Sequence, residues 1–383
     1  MQVPTSPVGQ IVALALILMA CTPAAAPAAT STNPASTAAT SAPAGAVATT
    51  ASVGAPASPA SPASPPMLPF RWGGQFPATD AGIFVAMDRV YFTEQGVDLD
   101  YVNFASASEM VPALATRQVE GAGIAINSAT INAVARGIEI KAVADKGSMP
   151  PGFGWQAFLV RKDLVDSGRF QTAADLKGMV FGTTPPINAG AGFPSLERVL
   201  RQVGLTQDDL RVEALSFPDV NAALASKSLD VAIQIEPLVQ AAVDQGIAVR
   251  WLGLDEVNPG QQIAVIGYGP SITVDNPALG RAFILAYLKG VRDYNRAFTT
   301  GAGKADIVAS IAKHSTVKSA ATVEAMAPVG LNPDGRINVE SLIEDQRFYV
   351  EKGTVSTPID MRQIVDHSYV EAALQVLGSG GAQ

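Results

Sequence analysis

The sequence predicts an α/β protein of two lobes, in which each lobe is a mixed, mostly parallel sheet flanked by helices. Strand and helix patterns alternate along the chain, beginning at residues 71–104. A break rich in proline and glycine at 150–154 separates one such series from a second. Apolar strands at 155–160 and 263–269 are suited to cross between the lobes. Alternation of this kind is typical of α/β folds, and strands joined through helices are expected to be parallel.

The bulk composition excludes several classes of protein. The chain has 383 residues, which is enough for two domains. Its formal net charge of -8 argues against nucleic-acid binding, which usually needs a basic surface. One cysteine and two histidines, His314 and His367, cannot assemble a usual zinc site. We therefore expect no nucleic-acid partner, no metal and no other cofactor.

Residues 1–20 have the pattern of a lipoprotein signal peptide. The apolar run at 11–20 is shorter than the ~20 residues of a transmembrane helix. Cys21 follows at once, and residues 18–21 resemble the bacterial lipobox, which implies cleavage before Cys21 and lipid attachment to it. The bulky Met19 and the absence of Lys or Arg before the apolar run depart from that pattern. A cysteine buried at the start of a core helix is the alternative.

Residues 21–67 predict a disordered tether. Up to residue 66 this segment consists almost entirely of Ala, Pro, Ser and Thr, and no Asp, Glu, Lys or Arg occurs before Arg71. Such a composition buries too little apolar surface to offset the loss of chain entropy, and its prolines favour extended conformations. We expect it to hold the folded part away from a membrane.

In the first series, polar residues follow three predicted strands where helices begin. These helix starts lie near Thr79, Ser106 and Ser128. Asn127 is a further cap. Ligands in open α/β sheets bind beyond the carboxyl ends of the strands, where helix N-termini offer unpaired N–H groups. We expect residues 75–80 and these caps to contact a polar or anionic ligand, with helix capping alone as the alternative for each.

The second series repeats the arrangement. A strand at 179–184 ends at Thr184, and the Pro-, Gly- and Ala-rich residues 185–192 lead into an amphipathic helix. These residues do not complete G-x-G-x-x-G, because Ser195 stands at the last glycine position, so nucleotide binding is not predicted. Glu236 follows a later strand in the same way.

Aromatic side chains near these points are candidates for a cleft wall. Trp72 precedes the first turn, and a Trp face can stack on a flat ring, although Trp72 is equally suited to the core. Trp155 and Tyr268 lie on the two crossing strands. The candidate ligand-binding residues are Trp72, Gln75, Phe76, Thr79, Asp80, Ser106, Asn127, Ser128, Trp155, Thr184, Asn188, Ala189, Gly190, Glu236 and Tyr268. We assign 68–160 and 262–383 to lobe one and 161–261 to lobe two.

Several stretches resemble solute-binding proteins of ABC importers with the type II periplasmic-binding fold. The similarity is greatest to the group that binds nitrate, sulfonates, taurine or thiamine-pyrimidine precursors. The stretches that carry it are residues 80–86, 92–99, 235–237, 348–353, 364–366 and 369–374. The resemblance implies a lipid-anchored, extracytoplasmic binding protein without catalytic residues. Its partners would be a small molecule, the membrane, and the permease and ATPase subunits.

The ligand is predicted less sharply than the fold. Residues 72–76 resemble the start of pyrimidine-binding members, which favours a heteroaromatic vitamin precursor of pyrimidine or flavin type. Nitrate, taurine or an alkanesulfonate is the alternative, disfavoured by Glu236 and by the lack of an arginine at a predicted strand end. The same family includes fungal pyrimidine-synthesising enzymes. The resemblance implies that these need a cysteine-rich motif, and no cysteine follows Cys21 here.

Overall fold

A computed structural model describes residues 66–104, 107–184 and 190–380. The predicted signal peptide, Cys21 and almost all of the predicted tether lie outside these residues, as do Ser106, Asn188 and Ala189. Within the described ranges, no helix is both long enough and apolar enough to span a membrane.

The chain forms the first lobe, crosses to the second, and returns. Lobe one begins with β1 Leu68–Gly74, α1 Ala81–Asp88, α2 Tyr91–Glu94, β2 Val97–Asn103, α3 Ala107–Ala115, β3 Gly121–Ile124, α4 Ser128–Ala135 and β4 Lys141–Ser148. Lobe two contains β5 Gln156–Arg161, α5 Lys162–Asp166, β6 Val180–Thr183, α6 Phe193–Gln202, β7 Arg211–Ala214, α7 Phe217–Ala225, β8 Val231–Ile235, α8 Leu238–Asp244, β9 Ala248–Gly253 and α9 Leu254–Val257. The return adds β10 Gln262–Tyr268, α10 Pro277–Thr300, α11 Lys304–His314, α12 Ala320–Ala325, α13 Val339–Glu351, α14 Met361–Ile364 and α15 Ser368–Leu377.

Each lobe contains one five-stranded sheet, and the two sheets share a topology. The first has the order β2-β1-β3-β10-β4, and the second β7-β6-β8-β5-β9. In the first sheet β1 is parallel to β2 and β3, whereas β10 is antiparallel to both of its neighbours. In the second sheet β6 is parallel to β7 and β8, and β5 is antiparallel to β8 and β9. The predicted fold class, two mixed sheets flanked by helices, is confirmed.

The boundary between the lobes differs from the prediction at one point. We assigned residues up to 160 to lobe one, but β5 pairs with β8 and β9 in the second sheet. All six residues of β5 are buried, as expected of an interior strand covered on both faces. The crossing is made earlier, by the proline- and glycine-rich residues 150–154, so lobe two begins at Gln156.

Local sequence signals account for the bounds of two helices in lobe one, α4 and α10. The Asn127 side chain accepts a hydrogen bond from the Thr130 N–H and caps α4. Asn276 caps α10 in the same way, Pro277 occupies the first helical position, and Gly301 ends the helix with φ 77°. These are the boundaries that an Asn-Pro start and a glycine stop predict.

Helix α10 packs its backbone directly against α1 beneath the first sheet. A Cβ at Gly290 would lie 2.0 Å from the Gly82 carbonyl oxygen, and a Cβ at Gly82 would lie 2.6 Å from a Val291 methyl carbon. Two glycines therefore allow α1 and α10 to approach closely, and Phe283 of α10 stacks on Phe70 of β1.

Gly290→Ala is expected to lower the free energy of unfolding by about 2–3 kcal/mol, because the added methyl forces the two helix backbones apart. Chemical denaturation followed by circular dichroism measures this. Arg281→Ala, at an exposed position of the same helix, is the matched control and should change stability by less than about 0.5 kcal/mol. Equal midpoints for the two variants would contradict the close packing.

Candidate functional site

A cleft of about 1060 Å³, counting the part that opens to solvent, lies between the two sheets. Lobe one contributes the turn after β1 and residues of β3, β4 and β10, and lobe two contributes residues of β5, β6 and β8, the turn after β7 and the loop before α6. The lining residues are Gln75, Pro77, Thr79, Gly123, Ile124, Ala125, Asn127, Lys146, Trp155, Gln156, Thr183, Thr184, Gly190, Ala191, Gly192, Ser216, Phe217, Ile233, Ile235, Ile263 and Ala264. Both lobes can therefore contact one ligand.

The cleft forms where strands give way to helices. Gln75 follows β1, Ala125 follows β3, Thr184 follows β6, and Ser216 lies just after β7. The carboxyl ends of parallel strands meet at one edge of each sheet, and the two edges face each other. In both lobes, the cleft therefore lies beyond the carboxyl ends of parallel strands.

A buried ion pair lies at the lobe-one wall of the cleft. The Lys146 ammonium lies 2.6 Å from Asp80 Oδ1 and donates a hydrogen bond of 2.8 Å to Thr79 Oγ1. Lys146 is 3% exposed and Asp80 is 0% exposed. Gly123 leaves room for this lysine, because a Cβ there would lie 2.6 Å from Lys146 Cε. Buried charges persist in proteins when they are paired and hydrogen-bonded, as they are here.

Asp80 also holds the turn between β1 and α1 in place. The Tyr101 hydroxyl donates a hydrogen bond to Asp80 Oδ2 and accepts one of 2.9 Å from the Phe76 N–H. Burial, followed by the Asp80 carboxylate, raises the pKa of Tyr101 well above its usual value, so the hydroxyl keeps its proton. The Phe76 ring stacks on Tyr101 with centroids 4.1 Å apart, which supports its backbone at φ 55°. These contacts hold Gln75 and Pro77 at the cleft.

Helix α13 of lobe one supports the loop that enters α6 in lobe two. The Tyr349 hydroxyl donates to the Gly190 carbonyl at 3.2 Å. Gln261, just before β10, donates to the Ala191 carbonyl and to Asp345 Oδ2, each at 2.9 Å, and accepts from Ser195 Oγ at 3.0 Å. One cleft wall of lobe two is therefore positioned by residues from the return segment.

Six predicted site residues line the cleft: Gln75, Thr79, Asn127, Trp155, Thr184 and Gly190. Asp80 lies behind the wall, in contact with Lys146. Ser128 is the buried first residue of α4, behind the Asn127 cap. Whether these residues bind a ligand stays a prediction, and Ser106, Asn188 and Ala189 fall outside the described residues.

Three predicted aromatic residues are not in the wall. Trp72 is fully buried and stacks on Phe283 with ring centroids 5.3 Å apart. Tyr268 is also fully buried, and its hydroxyl donates to the Gly280 carbonyl at 2.9 Å. Phe76 stacks on Tyr101 instead of facing the ligand space. Trp72 and Tyr268 belong to the core because they are residues of β1 and β10 whose side chains pack against α10.

Glu236 connects the two lobes and does not line the cleft. Its carboxylate accepts hydrogen bonds from the Gln240 N–H at 3.0 Å and the Ala327 N–H at 3.1 Å, and Arg250 lies 3.7 Å away. Its carbonyl accepts from the Ala78 N–H of lobe one. Burial raises the pKa of Glu236 to about 7. Glu236 was predicted to contact the ligand, but it does not line the cleft; its effect on an anion stays a prediction.

Sequence reasoning missed Lys146, Gln156, Ser216 and Phe217. Lys146 lies within β4 Lys141–Ser148, whereas the rule selected residues that follow a strand. Ser216 and Phe217 stand at a strand-to-helix junction, so the rule that selected Thr184 would have selected them too. No local sequence pattern identifies Gln156 as a site residue, because it begins a strand whose other residues are mostly apolar.

Comparison with known proteins assigns the family. The NMT1/THI5-like family model matches residues 78–296, more than half of the chain. The chain belongs to the NMT1/THI5-like family. Comparison with curated protein sequences gives no significant match.

Solved structures resemble this NMT1/THI5-like protein over most of both chains. The periplasmic nitrate-binding protein NrtA from Synechocystis PCC 6803 is 14% identical with a TM-score of 0.67, and the match covers 82% of this chain and 90% of that one. The periplasmic aliphatic sulphonate binding protein SsuA from Escherichia coli is 21% identical with a TM-score of 0.61, covering 78% and 92%. DSZB in complex with biphenyl-2-sulfinic acid is 16% identical with a TM-score of 0.57, covering 80% and 99%. At these identities the likeness shows the fold, which is that of periplasmic binding proteins.

The contact between α13 and lobe two contains a titratable group. Asp345 is 4% exposed, and burial raises its pKa to about 7. In the unfolded chain the same carboxyl titrates near 3.8. Between these two pH values, the folded state keeps a proton that the unfolded state has lost. The free energy of unfolding therefore falls as pH rises from about 3.8, and the loss is complete once pH has passed about 7.

Asp345→Asn should make stability of this family member less dependent on pH. Between pH 5 and pH 8 the natural protein is expected to lose about 2 kcal/mol more unfolding free energy than the variant, since the asparagine has no proton to release. Urea denaturation at both pH values measures the difference. Asp208→Asn, at an exposed carboxyl, is the control and should behave like the natural protein. Parallel pH curves for all three proteins would show that Asp345 does not titrate in this range.

Proposed function

We propose that this protein is the extracytoplasmic solute-binding component of an ABC importer. The observation that carries the proposal is the cleft, because its wall is divided between two lobes linked by crossing segments near Trp155 and Gln261. A ligand that contacts both walls favours their closed arrangement, and a permease can recognise that arrangement. The nitrate- and sulphonate-binding structures of the same fold support this function.

The ligand that we propose is a small heteroaromatic molecule of pyrimidine or flavin type. Trp155 and Phe217 bring aromatic surface to the cleft, and Ile233, Ile235 and Ile263 bring aliphatic surface. A few polar side chains, with Gln75 and Asn127 among them, are spaced between these apolar groups. An apolar wall with a small number of hydrogen-bonding groups is typical of pockets for flat organic ligands.

Nitrate, taurine or an alkanesulfonate is the second candidate, and Lys146 is the observation that favours it. Lysine is a donor for oxyanions, and this one lies in the wall. Its charge is already matched by Asp80 at 2.6 Å, so the pair presents little net positive charge to a ligand. We therefore rank the anion second.

Binding is proposed in preference to catalysis. Neither histidine lines the cleft: His314 lies 2.9 Å from Asp88 and stacks on Phe84, and His367 accepts a hydrogen bond from the Ile337 N–H. Cys21 is the one cysteine of the chain. The third candidate is a pyrimidine-biosynthesis enzyme of the same family. Such an activity would need a catalytic group other than histidine or cysteine in this cleft.

The test of binding against catalysis uses the purified protein. Thermal-shift measurements over pyrimidines, flavins, nitrate and sulfonates should identify a compound that raises the unfolding midpoint. Mass spectrometry should then recover that compound unchanged and in stoichiometric amount. A product formed over many turnovers would replace this proposal with an enzymatic one.

Phe217→Ala is expected to weaken binding of a flat heterocycle roughly tenfold, through loss of ring contact in the cleft. Isothermal titration calorimetry measures the dissociation constant. Phe348→Ala is the matched control, because Phe348 is also half-buried but lies on α13 outside the cleft. Equal affinity in both variants would remove Phe217 from the binding wall.

Lipid anchoring through Cys21 is part of the same proposal. Expression with a clickable palmitate analogue should label the natural protein in the membrane fraction, and Cys21→Ser should abolish both labelling and membrane retention, because no other cysteine can accept the lipid. Label that persists in Cys21→Ser would disprove the anchor.

A further inference from the structure

Gln156 places an unsatisfied amide oxygen in the cleft wall. It is the first residue of β5, is 5% exposed, and pairs in register with Ile235 of β8. Its Oε1 atom is buried and has no hydrogen-bond partner among the residues that the structure describes. An ideal Cβ on Gly192 would lie 3.8 Å from Oε1, which locates the oxygen beside the start of α6. A buried carbonyl without a donor destabilises a protein by about 1–3 kcal/mol, so a ligand N–H there would be favoured.

Lys146 faces the same space from lobe one with the opposite hydrogen-bonding character. An ammonium has three N–H donors, and contacts to Asp80 and Thr79 account for two. In the part of the chain that the structure describes, Lys146 is the one charged side chain of the wall, and Asp80 neutralises it. The cleft therefore offers an acceptor from lobe two and a donor from lobe one, with little net charge.

We propose that Gln156 and Lys146 form a specificity pair that selects a neutral ligand bearing an N–H donor and an adjacent lone-pair acceptor, as an aminopyrimidine does. The inference rests on the proposed function and narrows its ligand class. Gln156 accepts from the ligand N–H, and Lys146 donates to the ligand oxygen or ring nitrogen. Because the two residues come from different lobes, a ligand that satisfies both also joins the lobes.

The test compares three probes by isothermal titration: 4-aminopyrimidine, its N,N-dimethyl analogue, which carries no N–H at all, and ethanesulfonate. The natural protein should bind 4-aminopyrimidine about five- to hundred-fold more tightly than the dimethyl analogue. Gln156→Leu should reduce this ratio to near one. Gln240→Leu, on α8 away from the wall, is the control and should keep the ratio.

Stability separates this role from a merely structural one. Replacing an unpaired buried amide by leucine removes a desolvated polar group, so Gln156→Leu should unfold at the same or a higher denaturant concentration. If Gln156 were needed for folding, the Gln156→Leu variant would instead unfold at a lower denaturant concentration. The double variant Lys146→Met with Asp80→Asn removes the donor without leaving a lone buried charge, and it should weaken both pyrimidines while keeping their ratio.

Three outcomes would overturn the specificity pair. The first is a preference for 4-aminopyrimidine over its dimethyl analogue that survives in Gln156→Leu. The second is no measurable binding of 4-aminopyrimidine, and the third is ethanesulfonate binding more tightly than either pyrimidine. Each leaves the importer function standing as long as some solute of the wider panel is bound and recovered unchanged, whereas catalytic turnover would remove the function itself.

Discussion

The buried ion pair between Lys146 and Asp80 is the interaction on which the arrangement of the cleft depends. Neither charge could remain buried alone, because an uncompensated charge in the interior is strongly destabilising. Asp80 satisfies Lys146 with one oxygen and accepts from Tyr101 with the other, and Tyr101 in turn holds the Phe76 backbone. The pair thus links β4, the turn before α1, and β2. Replacing only one of the two residues would leave the other charge buried without its partner.

The lobe-two wall depends on the return segment. The loop from Gly190 to Gly192 is held by Tyr349 and Gln261, and ion pairs continue the contact along α6: Glu197 lies 2.7 Å from Lys352, and Arg201 lies 2.6 Å from Glu351. Glu197 is buried, whereas Arg201 and Glu351 are exposed, so the second pair adds little stability. Both pairs connect α6 to α13. The same loop therefore lines the cleft and contacts the return segment.

The fold and the ligand are supported by different observations. Membership of the NMT1/THI5-like family and the shared sheet topology establish a two-lobed scaffold, and such scaffolds serve many ligands. The choice among ligands rests on the wall itself. Apolar and aromatic groups provide contact area for a flat ring, the paired lysine provides a donor, and Gln156 provides an acceptor. The proposal of a neutral heterocycle rests on these groups.

The sequence by itself determined the alternation of strands and helices, the two-lobed class, and the caps at Asn127 and Asn276, since these follow from local periodicity and capping chemistry. It also selected Gln75, Thr79 and Thr184, because strand-to-helix junctions are visible in one dimension. The tertiary structure alone decided that Trp72 and Tyr268 belong to the core and that Glu236 binds backbone N–H groups between the lobes. It also decided that Lys146 and Gln156 face one space. Those outcomes depend on which distant segments pack together, and local sequence patterns do not encode such pairings.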